Sequence, residues 1–145
     1  VRRRLDAGMA LAAAGMLHLA AAVMLGLPMS AGHAPFRLVV VQVALLLLGF
    51  TLFVAGHHLK IVPFLVWYHR CAVRPGRGGV QRVSELYAGR VAAASAALLV
   101  AGSLTLVGGV VATTPALSLL GATLFAAGAL TQACQLLSLF TWRPA

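Results

Sequence analysis

Three histidines and one lysine lie close together in residues 55–69, a stretch that begins inside a long apolar run. The same stretch holds a proline and several aromatic residues, and a further histidine, His18, lies in an earlier apolar run. Imidazole is a common ligand of metals and of haem iron. Ionisable groups inside lipid are costly and usually mark a functional site. These residues are therefore the first candidates for chemistry in the chain.

The composition predicts that these residues are carried by membrane-spanning helices. Hydrophobic residues make up 61% of the 145 residues and charged residues only 9%, against about 25% charged in a soluble domain. Runs of roughly 20 or more apolar residues can cross about 30 Å of hydrocarbon as helices. Their continuous apolar character favours helices over a β-barrel, whose strands alternate apolar and polar residues. We predict one all-α domain, a four-helix up-down bundle with spans at about 6–27, 36–68, 90–112 and 115–142.

Basic residues lie mostly on one side of the predicted spans. The arginines on that side are Arg2, Arg3, Arg4, Arg70, Arg74, Arg77, Arg82, Arg90 and Arg143. The opposite side has only Arg37. The positive-inside rule then places both termini and the basic loop 70–89 in the cytoplasm of a bacterial-type inner membrane. The arginines separate apolar runs, so we expect them to contact anionic lipid headgroups and expect no nucleic acid partner.

Features at the edges of the spans have open interpretations. Residues 80–88 form either a short interfacial helix or a plain connector. Cys71 and Cys134 are expected at different depths, too far apart for a disulfide. The first span is too long for a signal peptide and is expected to remain. The chain starts with valine, as in a fragment, a processed product or a chain with an alternative start codon. No internal repeat is evident.

Counting residues from the predicted cytoplasmic edge brings the polar residues of the spans to one depth. His18 is about 16 Å into the first span at 1.5 Å per residue. If the second span continues to Tyr68, His57 reaches the same depth. We therefore predict one layer near the membrane midplane, formed by His18, His57 or His58, Ser103 and Gln132.

The neighbours of these histidines suit a haem. Small residues surround His18 on its helix, and aromatic residues lie near His57. An imidazole can ligate the iron while apolar walls hold the macrocycle. Each polar residue also has a structural interpretation. His18 can be a hydrogen bonder between helices, as can Gln132 and Gln135, and the small residues of the third span indicate close helix contact.

The end of the second span decides the environment of Lys60. If the span ends at Leu59, Lys60 extends to the headgroups at little cost. If the helix continues through Pro63, which would kink it, Lys60 lies inside the membrane and needs an anionic partner. Haem propionates or a second protein could supply that anion. We expect the long, kinked helix.

The run Lys-Ile-Val-Pro-Phe-Leu-Val-Trp-Tyr-His-Arg at residues 60–70 resembles the C-terminal part of large polytopic membrane proteins. Those proteins are similar to haem-copper oxidase subunit I and to the NnrS haem-copper membrane proteins. The Val-Ser-Glu-Leu-Tyr sequence at residues 83–87 agrees more loosely. The resemblance implies haem binding through membrane histidines and a role in respiratory or nitric-oxide metabolism. Such proteins have many more spans than the four predicted here.

These observations lead to three hypotheses. The first is a respiratory-type inner-membrane protein that binds one haem for electron transfer, with His18 and His57 or His58 as iron ligands and Lys60 and Gln132 in the cofactor site. The second is a non-catalytic scaffold or assembly subunit of a larger complex or homo-oligomer. The third is a small transporter half with a polar path through Lys60 and the glutamines. No motif of a soluble enzyme is present, so we expect no catalytic activity from the chain alone.

Overall fold

Four long helices make up the computed structural model, which describes residues 6–29, 32, 35–69, 86 and 88–141. They are α1 (Ala7–Met29), α2 (Phe36–Trp67), α3 (Gly89–Val111) and α4 (Pro115–Thr141). The prediction of four helices, each long and apolar enough to cross a membrane, is confirmed. The described residues contain no strand.

Several sequence predictions lie outside the described residues. They include the interfacial helix at 80–88, apart from Leu86 and Ala88, and most of the basic loop. The arginines before α1 and after α4, together with Cys71, also lie outside.

Helix boundaries follow from local chemistry. Asp6 caps α1, because its Oδ1 accepts hydrogen bonds from the backbone N–H groups of Gly8 at 2.8 Å and Met9 at 3.1 Å. Pro115 is the first residue of α4, where its missing N–H costs nothing. The turn from α3 to α4 places Thr113 in the left-handed region, with φ of 55°. The N–H of Thr114 donates to the carbonyl of Gly109 at 2.9 Å and closes that helix end.

The buried residues of α1 and α2 recur at alternating intervals of three and four. In α1 they are Gly8, Leu11, Gly15, His18 and Ala22. In the second half of α2 they are Gly49, Leu52, Gly56, Leu59, Pro63 and Val66. This spacing averages about 3.5 residues per turn, the period of a left-handed helical seam. Each helix therefore contributes a narrow buried stripe and leaves a broad apolar face outside.

Glycines bring α1 and α2 into close contact. A Cβ atom built on Gly8 would lie 2.8 Å from the carbonyl oxygen of Gly56, and one on Gly15 would lie 2.7 Å from that of Gly49. The contact positions advance along α1 as they recede along α2. Helices associate in lipid through close packing of this kind, because the hydrophobic effect contributes little to their association there. We call α1 and α2 the first hairpin.

The pair α3 and α4, the second hairpin, is joined in the same way. A Cβ atom on Gly102 would lie 2.9 Å from the carbonyl oxygen of Gly121, and one on Gly109 would meet Ser118. The two hairpins share one apolar core, which consists of Leu11, Leu52, Leu59, Ala92, Ala96 and Leu99. A smaller cluster of Val66, Leu86 and Leu139 lies where α2 and α4 end.

Candidate functional site

His18 is buried in the seam of α1. Its Nδ1 lies 2.9 Å from the carbonyl oxygen of Ala14. A carbonyl can only accept, so Nδ1 carries a proton, and in the neutral imidazole Nε2 is the acceptor. That Nε2 is buried and has no hydrogen-bond partner in the described part of the chain. A Cβ atom on Gly49 would lie 3.0 Å from the Cβ of His18, so α2 packs directly against this residue.

His57 has the same tautomer in a different setting. Its Nδ1 donates to the carbonyl of Phe53 at 2.8 Å, and its ring lies 4.3 Å from the ring of Phe53. The side chain is exposed on the outside of the bundle, and so is that of its neighbour His58. Both imidazoles are therefore reachable from outside the bundle rather than from its interior.

The prediction that His18 and His57 lie at one depth is wrong. His18 packs beside Gly49, whereas His57 lines a groove with Gly8. Gly49 and His57 are eight residues apart on α2, which is about 12 Å along a helix. The depth count assumed that the start of α1 and the end of α2, at Tyr68, lie at the same level. The structure instead pairs the start of α1 with Lys60, so α2 continues beyond it.

Ser103 and Gln132 do not share one level either. Gly102, the neighbour of Ser103, packs against Phe125. Phe125 and Gln132 are seven residues apart on α4, which is about 10 Å along the axis. The four residues therefore do not form one layer: Gln132 bonds to Ala55, near His57 on α2, whereas His18 and Ser103 lie at other positions along the helices.

A haem held between His18 and His57 or His58 does not fit this arrangement. His18 is only 6% exposed and is closed in by a glycine contact, while the other two histidines face outward at another level. Within the described residues there is also no group of three or more His, Cys, Asp or Glu side chains that could hold a metal ion. The tautomers of His18 and His57 leave Nε2 available as a ligand, but their positions do not bring the two together.

Lys60 has an anionic partner within the chain. Its Nζ lies 3.1 Å from Oδ2 of Asp6, and the two side chains are 44% and 50% exposed. The helix α2 does continue through Pro63 to Trp67, as the long-helix alternative requires. Asp6, directly before α1, supplies the anion that this alternative needed.

Asp6 is held in its charged form. Partial burial alone would raise its pKa, but the hydrogen bond and charge of Lys60 and the N–H groups of Met9 and Gly8 lower it. The net result is a pKa below the usual 3.8. The carboxylate thus acts at once as helix cap and as counter-ion.

A groove of about 350 Å³ opens beside this ion pair, on the outer side of the first hairpin. Small residues of α1 form its floor, chiefly Gly8, Ala12 and Ala13. Its apolar walls are Met9, Met16 and Phe53. His57 and Lys60 supply its polar groups. We call this feature the outer groove.

The two glutamines of α4 hold helices together. Nε2 of Gln132 donates to the carbonyl of Ala55 at 2.8 Å and so links the hairpins. Nε2 of Gln135 donates to the carbonyl of Ala88, just before α3, at 2.9 Å. The interhelical hydrogen bonds predicted for both residues are present, and each Oε1 is buried without a hydrogen-bond partner in the described region.

No family model matches the chain, and no curated protein or solved structure matches it either. The resemblance of residues 60–70 to haem-copper oxidase-like proteins therefore stays a prediction.

Proposed function

We propose that this chain is a non-catalytic scaffold subunit of a larger membrane assembly. In this proposal the helices cross a bacterial-type inner membrane in up-down order, with both termini and the basic loop in the cytoplasm. The asymmetric distribution of arginines supports the orientation. Within each hairpin the contact positions advance along one helix as they recede along the other, and this antiparallel packing supports the up-down order of the helices.

The observation that carries the proposal is how the bundle interior is filled. Glycines bring the helix backbones together along both hairpins. The buried polar side chains of the described region hydrogen-bond to backbone carbonyls: those residues are His18, Ser95, Ser103, Gln132 and Gln135. Gln132 and Gln135 bond to other elements and so stabilise helix contacts, whereas His18, Ser95 and Ser103 bond to carbonyls of their own helices.

A transporter half is less well supported. Its polar path would pass through Lys60, which is instead paired with Asp6 directly before α1. The ion pair is half exposed and lies beside the outer groove rather than among the buried core residues. A path along the glutamines would need their amides free, whereas both donate to backbone carbonyls.

Extraction from the native membrane in a mild detergent tests the scaffold proposal. We expect the chain to migrate with a larger membrane protein at a fixed ratio and to carry no visible chromophore. A stable single copy that migrates alone, under conditions that preserve other membrane complexes, would contradict the proposal.

We propose one second function, in which a haem lies at the boundary between this chain and a partner. The exposed imidazole of His57 favours it, because the hydrogen bond from Nδ1 to Phe53 fixes the tautomer that can ligate through Nε2. The complex would show a Soret band that His57→Leu removes and His58→Leu retains. A band that survives both substitutions, or no band in the intact complex, excludes His57 as a ligand.

A further inference from the structure

The outer groove has the shape of a site for an amphiphile. Its charged group, Lys60, lies at one end, close to the start of α1, and its floor of small residues continues along α1 toward Met16. A volume of about 350 Å³ lies within the range of sites that take one small molecule, roughly 300–1,000 Å³. The groove faces outward from a bundle of membrane-spanning length, so lipid is the molecule with direct access to it.

The charges at the polar end narrow the chemistry of the occupant. Lys60 has three N–H donors, of which one is directed to Asp6. Asp6 and the Nε2 of His57 are acceptors, and His57 lies one turn from Lys60 on the same face of α2. Lys60 and Asp6 cancel in charge. A purely anionic headgroup would therefore gain from Lys60 and be repelled by Asp6.

We propose that the outer groove binds a zwitterionic phospholipid with a primary amine, of the phosphatidylethanolamine class. Its phosphate accepts hydrogen bonds from Lys60, and its ammonium donates to Asp6, with His57 as a second acceptor. One acyl chain lies over Ala12 and Ala13, between Met16 and Phe53. Phosphatidylcholine has the same charges but no N–H donor, and phosphatidylglycerol has no cation to offer Asp6. The phosphate and the ammonium of this headgroup are thus complementary in charge to Lys60 and Asp6.

The proposal is tested with the full chain reconstituted in vesicles of equal parts phosphatidylethanolamine, phosphatidylcholine and phosphatidylglycerol. After gentle re-extraction, the lipid retained by the protein is measured by mass spectrometry. We expect phosphatidylethanolamine to be enriched about tenfold over the other two, the scale of one charge-assisted hydrogen bond. Equal retention of the three lipids would overturn the proposal, as would a groove closed by a second copy, detected as a cross-linked dimer without lipid.

Two alanines of α1 provide a matched pair of variants. Ala13→Leu fills the floor of the groove and should abolish the enrichment. Ala10→Leu adds the same side chain at an exposed position of α1 outside the groove and should preserve it. If both variants retain phosphatidylethanolamine equally, the lipid binds elsewhere and the proposal is wrong.

Asp6→Asn tests whether the charge of Asp6, rather than the shape of the groove alone, determines which lipid binds. Asparagine still caps a helix, so α1 should remain folded. The variant leaves Lys60 uncompensated, and the preference should shift from phosphatidylethanolamine to phosphatidylglycerol. If the variant still retains mainly phosphatidylethanolamine, Asp6 does not determine which lipid headgroup binds.

Discussion

The two hairpins use the same packing but carry different side chains. Each has glycines seven residues apart on both helices: Gly8 and Gly15 with Gly49 and Gly56 in the first, and Gly102 and Gly109 with Gly121 and Gly128 in the second. The described histidines and Lys60 all belong to the first hairpin, whereas the second contributes the buried serines and glutamines. Close helix packing therefore does not require the histidines. Most of them lie on the outer side of that hairpin, where the proposed lipid or partner would contact them.

The largest expected effect tests whether both hairpins depend on glycine. Gly15→Ala and Gly102→Ala each place a Cβ atom within 3 Å of backbone atoms of the facing helix. Since those atoms cannot move away locally, we expect each variant to lose about 2–3 kcal/mol of unfolding free energy, the upper range for overpacking. Unfolding in detergent or bicelles measures the loss.

Gly108 provides the control for this comparison, because nothing lies within 4 Å of a Cβ atom built there. Gly108→Ala should be neutral or slightly stabilising, as alanine is the better helix former. If Gly102→Ala is as mild as Gly108→Ala, the close contact in the second hairpin is not what holds its helices.

The next effect concerns the link between the hairpins. Gln132→Leu removes the hydrogen bond to Ala55, and an interhelical bond in a membrane protein contributes about 0.6 kcal/mol on average and up to about 1.7. Gln135→Leu removes a bond inside the second hairpin instead. We expect the two variants to lose similar amounts of unfolding free energy. Only Gln132→Leu should make the surfaces between the two hairpins more accessible to proteolytic cleavage or chemical labelling. Equal labelling in both variants would refute this role of Gln132.

A smaller effect concerns the ion pair of the first hairpin, between Asp6 and Lys60. The pKa of Asp6 is lowered in the folded protein from 3.8. Its contribution to stability is therefore present above that pH and is lost as the pH falls through the lower, folded value. Because both side chains are half exposed, the pair should contribute less than about 1 kcal/mol.

Thermal unfolding at pH values from 6 to 2.5, the range in which an aspartate titrates, should show this loss of stability in the native protein. The stability of Asp6→Asn should depend less on pH. Salt should weaken the difference, since half-exposed charges are screened. An identical pH profile in the variant would mean that the ion pair does not contribute to stability.

The smallest effect belongs to the turn of the second hairpin. Thr113 has a φ of 55°, which a β-branched residue adopts at a cost and glycine does not. Thr113→Gly should stabilise the hairpin by about 0.5 kcal/mol, because relief of the strain is partly offset by the entropy of glycine. A loss of stability in unfolding experiments would show that the threonine side chain matters more than its backbone.

The sequence was sufficient to predict the helices because their signal is local. Four continuous apolar runs, interrupted by Pro35, Pro115 and charged segments, define where helices begin and end. The interhelical role of Gln132 was also predictable, because a buried amide in lipid must find a partner on another helix.

The site was not predictable by the same means, because depth depends on register. In the structure His18 packs beside Gly49, which lies eight residues before His57 on α2, and residue counting cannot detect such a difference in register. The glycines did carry that information. Their spacing of seven residues is visible in the sequence, and matching Gly8 to Gly56 would have aligned the hairpin and brought Lys60 next to Asp6. The exposure of His57 and His58 depends on helix rotation, which the uniformly apolar α2 does not define.

The contact between Asp6 and Lys60 has a consequence for how the protein is made. Asp6 is synthesised together with α1, well before Lys60, the residue that neutralises it. Until then the carboxylate has to stay with water, which keeps the start of α1 at the aqueous boundary. Once α2 has been made, the pair can form only if the start of α1 and the Lys60 turn of α2 lie at the same level.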